Sequence, residues 1–284
     1  MFLFILLAYV ISSPVATLRE STDPSSRVAS QAIFSDEVDI LEEHQDLVHI
    51  QMKIDTVKGW VQKQSVQFVE QLPLHTVIVE QKAAHVYAEA NVEKGPLMTL
   101  PFESHLTYIE ELEEEERRWL KVQLPSGKLA YIERGCVSFK PRQLTKEEMV
   151  AFSKRFLGLP YTWGGRSSFG YDCSGFMQML YRQMGIFLPR NSKKQCVWEG
   201  FRPIEIENIS PGDLIFWGTI DQKINHVGMY IGDGQFIHTI ASVEKKPYLR
   251  ISHLNDPAWD GKASNYHAFR TARTLRDRSE ADRK

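Results

Sequence analysis

Cys173 lies within Asp172-Cys173-Ser174-Gly175, and a helical pattern of apolar residues begins directly behind it. The amino end of a helix carries unsatisfied amides and a partial positive charge. Both favour an ionised thiol, and the same amides can receive the oxygen of a tetrahedral intermediate. The sequence therefore leads us to expect a thiolate at this position, with Gly175 leaving room for backbone or substrate to approach. Downstream, Asn225-His226-Val227-Gly228-Met229-Tyr230-Ile231-Gly232 supplies a base candidate, and His238 a second imidazole to orient it. Thiol, base and orienter together point to a cysteine hydrolase. Taken singly, Cys173 would read as a buried structural thiol and His238 as a satisfied strand histidine. Their combination argues against that.

The two histidines cooperate only in one register. A two-residue turn at Asp233-Gly234 would pair His238 with Met229 and turn it away from His226. A three-residue loop, Gly232-Asp233-Gly234, pairs Ile231 with Gln235 and His238 with Gly228. His226 then lies diagonally on the same face, at roughly 7 Å. The sequence predicts the three-residue loop.

The elements that must carry these groups can be read from the pattern around them. Thr145-Lys146-Glu147-Glu148 fits a capping box, followed by Met149, Phe152 and Phe156 at helical spacing. Phe176, Met177, Leu180, Tyr181 and Met184 mark a second helix closed by Gly185. Strands follow at Asp213 to Trp217, His226 to Ile231, Gln235 to Ile240, Leu249 to Ile251 and His267 to Thr271. Helices followed by strands imply an α+β domain with an antiparallel sheet. Residues beyond Thr274 are polar and are expected to fray.

The first half repeats itself. Phe34 falls on Phe102, Ile40 on Tyr108 and Trp60 close to Tyr131, each unit showing short alternating strands between turns. That pattern suggests two small barrels of about sixty residues each. Glu113 to Glu116, followed by Arg117 and Arg118, reads as a solvated hairpin tip.

Composition is that of a globular protein: 284 residues, 43% hydrophobic and 25% charged. That length predicts two or three domains. The net charge of −2 argues against nucleic acid. Cys136, Cys173 and Cys196 show neither zinc-site spacing nor a disulfide framework. Phe2 to Ile11 is apolar but too short to span a bilayer, and no Lys or Arg precedes it. Cleavage after Ala16 would remove Pro14 to Leu18, which reads as a first strand, so an uncleaved start is expected.

Tyr161 to Gly165, Asp172 to Phe176, Leu188-Pro189-Arg190, Pro211 to Phe216 and His226 to His238 together resemble the NlpC family of papain-like cysteine peptidases. The two repeat units resemble bacterial SH3-like domains. The fold implied is α+β: a papain-like NlpC catalytic domain preceded by two small SH3-like β-barrels. The boundaries are 1–70, 71–141 and 142–284. The combination is similar to γ-D-glutamyl-L-diamino acid endopeptidases of bacterial cell-wall peptides.

This resemblance implies Cys173 as nucleophile, His226 as general base and acid, and His238 as its orienting residue. It further implies Tyr161 beside the Cys173 amide at the oxyanion, and Asp172, Ser174 and Ser192 lining the substrate. Glu20 would meet the peptide's free amine, with Trp60 as a wall. The reaction is acyl transfer to sulfur and then to water, with no metal or organic cofactor. The partners implied are peptidoglycan-derived peptides of the type L-Ala-γ-D-Glu-diamino acid, with no nucleic acid and no stable membrane span. Cytoplasmic peptide recycling is favoured over a place in the cell envelope. An amidase or acyltransferase on the same thiol, and a non-catalytic wall-peptide binder, remain open as alternatives.

Overall fold

The computed structural model describes residues 8–73, 75–113, 117–140, 143–219, 221, 223–241, 248–257, 259 and 268–276. It divides into two compact units, Met1–Pro141 with Arg166–Phe169, and Arg142–Gly165 with Gly170–Lys284.

The first unit contains two antiparallel sheets built to one plan. The first comprises β1 (Ala8–Ile11), β2 (Val15–Arg19), β3 (Val28–Ile33), β4 (Glu37–His44), β5 (Leu47–Met52), β6 (Lys58–Gln62) and β7 (Val66–Val69). The second comprises β8 (Thr76–Val79), β9 (Ala83–Tyr87), β10 (Met98–Pro101), β11 (His105–Glu111), β12 (Trp119–Gln123), β13 (Leu129–Glu133) and β14 (Val137–Ser138). Their strand orders, 3-2-6-5-4-1-7 and 10-9-13-12-11-8-14, are identical after a shift of seven.

The repeat holds in detail. A bulge falls between Ile40 and Glu42 in one sheet and between Tyr108 and Glu110 in the other. Left-handed Ser35 and Glu103 (φ 71° and 69°) follow the matched Phe34 and Phe102. Ile50, Leu18 and Val61 alternate inward with period two and fill the first core, as Leu120, Val86 and Ile132 fill the second. Among the described residues the end strands gain no second neighbour, so neither sheet closes through its hydrogen bonds. The short last strands explain this: the two residues of β14 pair only with β8. Of the apolar start, Val10 and Ile11 are buried in β1, and residues 2–7 lie outside those described. The segment expected as a first strand is therefore the second. The expected charged hairpin tip falls largely on residues 114–116, outside those described, as does the tail beyond residue 276.

The second unit opens with α1 (Lys146–Ser153), whose capping box is complete: Glu148 N donates to Thr145 Oγ1 at 3.2 Å, and Thr145 N to Glu148 Oε2 at 2.9 Å. Phe156 follows on a tighter turn and packs edge-on to Phe152, Tyr171 and Phe176. The two-residue strands β15 (Arg166–Ser167), which belongs to the first unit, and β16 (Gly170–Tyr171) precede α2 (Cys173–Arg182). From Cys173 to Tyr181 every residue of α2 is buried. A short α3 (Ser192–Cys196) and β17 (Phe201–Ile204) follow; the sequence pattern marked neither.

The sheet is completed by β18 (Leu214–Gly218), β19 (Ile224–Gly232), β20 (Gln235–Thr239), β21 (Leu249–His253) and β22 (Ala268–Leu275). Its order is β17-β22-β18-β19-β20-β21, antiparallel throughout, with α2 packed on β19 and β20. Helices on one antiparallel sheet are the α+β arrangement expected. No helix among the described residues is long and apolar enough to cross a membrane.

Candidate active site

Asp172 starts α2. Its Oδ1 accepts from Gly175 N at 2.7 Å, satisfying one orphan amide of the first turn. Arg190 grips the same carboxylate with both amino groups and also reaches Ser174 Oγ at 3.2 Å and Gly165 O at 3.3 Å. Ser174 Oγ donates to Asp172 Oδ1 at 3.2 Å. Gln195 of α3 ties down the other side, donating to Ser174 O at 3.0 Å and Pro189 O at 2.8 Å. Gly175 is glycine for a steric reason: a Cβ there would lie 2.2 Å from Gly165 O.

Cys173 occupies the first helical position and is buried. Burial pushes its thiol up to about 12, and the Asp172 charge adds to the rise. The amides of Val227 and Ser174, and then Arg190, pull the other way but do not offset the loss of water. Burial therefore opposes the ionisation that the helix end favours. The Val227 amide, from the residue that follows His226 in β19, hydrogen-bonds the sulfur.

The histidines meet. His226 Nε2 lies 2.9 Å from His238 Nδ1, and His238 Nε2 lies 2.9 Å from Ser252 Oγ on β21. All three side chains are buried. The register that permits this is Met229 with Ile237 and Tyr230 with Phe236, which sets Gly228 beside His238. The expected pairing therefore holds along the strands, although the connection differs. The turn has two residues, Asp233 and Gly234, both left-handed (φ 52° and 69°), the type I′ pattern. A bulge at Ile231 then restores the register, with Gly232 rather than Ile231 facing Gln235. Trp217 and Trp259 lie against His226, and Phe236 and Trp259 against His238, enclosing the pair in aromatic rings.

Tyr161, half-buried, bridges to Tyr171 two residues before the thiol. Ser192 is buried at the first position of α3, behind the capping Asn191. Glu20, the residue after β2, and Trp60 of β6 lie in the first unit, where Arg19 pairs with Trp60. Glu20 is exposed, and Trp60 is half-buried and stacked on His49 at 5.0 Å. Among the described residues no cluster of three or more His, Cys, Asp or Glu side chains could hold a metal. Sequence reasoning missed Ser252, Gln195 and Trp259 and gave Arg190 only as part of a motif.

Comparison with known proteins adds a family. Residues 158–267 match the NlpC/P60 family. A Gamma-D-glutamyl-L-lysine dipeptidyl-peptidase of Bacillus cereus is 29% identical over 253 residues, covering 83% of this chain and 73% of that relative. Its namesake from Bacillus subtilis is 31% identical over 189 residues, covering 64% of this chain but only 59% of the relative's length. A crystal structure of an NlpC/P60 family protein from Bacillus cereus matches with a TM-score of 0.77 at 24% identity, across 95% of this chain and 99% of that one. At that identity the likeness is one of fold. A helix-start cysteine, paired strand histidines and these matches together establish that the chain carries an NlpC/P60 family domain.

Proposed function

We propose that this cysteine hydrolase cuts the bond between γ-D-glutamate and the diamino acid in peptidoglycan-derived peptides that begin with a free L-alanine. The observation that carries the reading is the hydrogen-bonded pair His226–His238 on the strand whose Val227 amide reaches the Cys173 sulfur. The names of the two Bacillus relatives support the bond chosen.

In this reading Cys173 gives its proton to His226 as sulfur attacks the γ-carbonyl carbon. Tyr161 and the Cys173 amide hold the oxyanion. The intermediate collapses to an acyl-enzyme, and the His226 imidazolium protonates the departing amine of the diamino acid. Water then loses a proton to His226 and attacks the thioester. The dipeptide leaves and the proton returns to sulfur. A thiol whose pKa burial raises suits this order, in which the proton leaves as sulfur attacks.

Ser174 and Ser192 line the substrate site. Asp172 acts through the groups it holds, because Arg190, Ser174 and Gly175 already engage its carboxylate. Glu20, beside Trp60, receives the free amine. The domains are 1–70, 71–141 and 142–284, the first two being SH3-like modules that restrict the enzyme to short peptides. That restriction favours recycling of wall fragments over lysis of intact wall.

The test is turnover of L-Ala-γ-D-Glu-diaminopimelate and its N-acetyl copy, followed by mass spectrometry. Release of free diamino acid is expected, with the acetylated copy slower by at least roughly tenfold, the effect of losing about 1.4 kcal/mol. Equal rates would remove the amine pocket at Glu20. On a defined muropeptide that keeps its sugar, cleavage confined to the amide between sugar and alanine would replace the peptidase by an amidase. Full hydrolysis by Cys173→Ala would end the catalytic assignment.

A further inference from the structure

The two short contacts of His238 restrict where protons can sit. One proton lies between His226 Nε2 and His238 Nδ1, which are 2.9 Å apart. If His226 carries it, Nδ1 of His226 is unprotonated and can serve as a base. His238, accepting at Nδ1, must then be protonated at Nε2, and that N–H points at Ser252 Oγ, 2.9 Å away. If His238 carries the shared proton instead, its Nε2 accepts from the serine hydroxyl, and His226 is protonated at Nδ1 and cannot act as a base. Only the first arrangement is productive. In it, Ser252 is the acceptor that closes the chain.

We propose that Ser252 is a positioning residue for the histidine pair: its Oγ accepts the Nε2 proton of His238 and so keeps His226 in the base-competent tautomer. The inference rests on the reading of His226 as general base. Ser252 is built for the task. It is buried, and it sits opposite Phe236 in the ladder between β20 and β21, two residues from Arg250, so that it meets His238 diagonally. Phe236 and Trp259 pack against the His238 ring with centroids at 4.7 Å, and His238 is buried, which keeps bulk water from its Nε2. A buried N–H without an acceptor is tolerated less well than a bare ring nitrogen. Removing Oγ therefore shifts the pair towards the unproductive tautomer.

The experiment compares wild type, Ser252→Ala and Ser252→Thr in full-length chain with ¹⁵N-labelled histidine. Imidazole ¹⁵N shifts read the tautomers without substrate, and kcat and KM on the free-amine tripeptide read the consequence. The expected wild-type signature is a protonated Nε2 and bare Nδ1 at His238. Ser252→Ala should move His238 towards the Nδ1-protonated form and lower kcat roughly tenfold or more at unchanged KM. Ser252→Thr, which keeps an oxygen acceptor, should restore both. A wild-type His238 protonated at Nδ1, or an alanine variant with unaltered tautomer and kcat, overturns the proposal. Because the spectra need no peptide, failure of the substrate assignment would leave this result standing. Turnover with an unaltered tautomer in the alanine variant would remove only the role of Ser252.

Discussion

Arg190 holds Asp172 through both carboxylate oxygens, at 3.0 and 2.7 Å, while that carboxylate also caps the helix beginning with Cys173. Both members are largely withdrawn from water. Removing one partner of such a pair strands the other charge, at a cost of about 3–5 kcal/mol. Arg190→Gln should therefore lose stability on that scale in urea denaturation, and it also removes a group that lowers the Cys173 pKa. A loss under about 1 kcal/mol, the scale of an exposed pair, would mean that the clamp does not hold the helix start.

The buried thiol predicts a pH dependence with a definite sign. Unfolded, Cys173 ionises near 9.0; folded, near 12. Between those values the folded chain binds a proton that the unfolded chain has lost. The resulting stabilisation is complete below pH 9 and declines as pH rises through that window, by about 1.4 kcal/mol per unit. Ser at this position does not titrate there. From pH 8 to 10 the wild type should lose about 1.4 kcal/mol relative to Cys173→Ser. Parallel curves for the two proteins would show a sulfur ionising at its ordinary value.

Gly175→Ala should be disruptive although alanine is the better helix former. The added methyl would meet Gly165 O at 2.2 Å, backbone against helix start. Overpacking of this kind costs typically about 1–3 kcal/mol, and here it would move the turn that carries the nucleophile. The expected outcome is a lower urea midpoint together with a fall in kcat. Wild-type kcat in the variant would show that the approach of Gly165 does not position Cys173.

At the hairpin, Asp233 adopts φ 52° ahead of Gly234. Asp233→Asn gives the favoured Asn-Gly turn and should keep stability within about 0.5 kcal/mol. Asp233→Val places a branched side chain in the left-handed region, at about 1–2 kcal/mol. Because this turn sets the strands that align His226 with His238, the valine variant should also lose turnover. Equal activity of the two variants would separate turn geometry from the histidine pair.

Local signals were legible where they rest on neighbours in the chain. The Thr145–Glu148 capping box, the helix behind Asp172 and the antiparallel strands needed only short-range pattern. The histidine register was read from the glycines around Asp233, although the bulge at Ile231 was not, because no residue type marks the extra position. The repeat was visible in the match of Phe34 with Phe102. Open sheets in place of closed barrels were not visible, since closure depends on pairing by short end strands such as β14. Ser252 sits in a five-residue strand with no pattern tying it to His238, and the contact exists only once β20 and β21 pair. The burial that opposes ionisation of Cys173 was not legible for a related reason. The helix end is written in sequence, whereas the burial that outweighs it is a property of the packed fold.

Burial that opposes ionisation of the nucleophile bears on oxidation as well. The thiolate, not the thiol, attacks peroxide and disulfides, so a raised Cys173 pKa leaves less of the form that is oxidised to the sulfenic state. Burial that opposes ionisation of Cys173 thereby also slows its loss to oxidants.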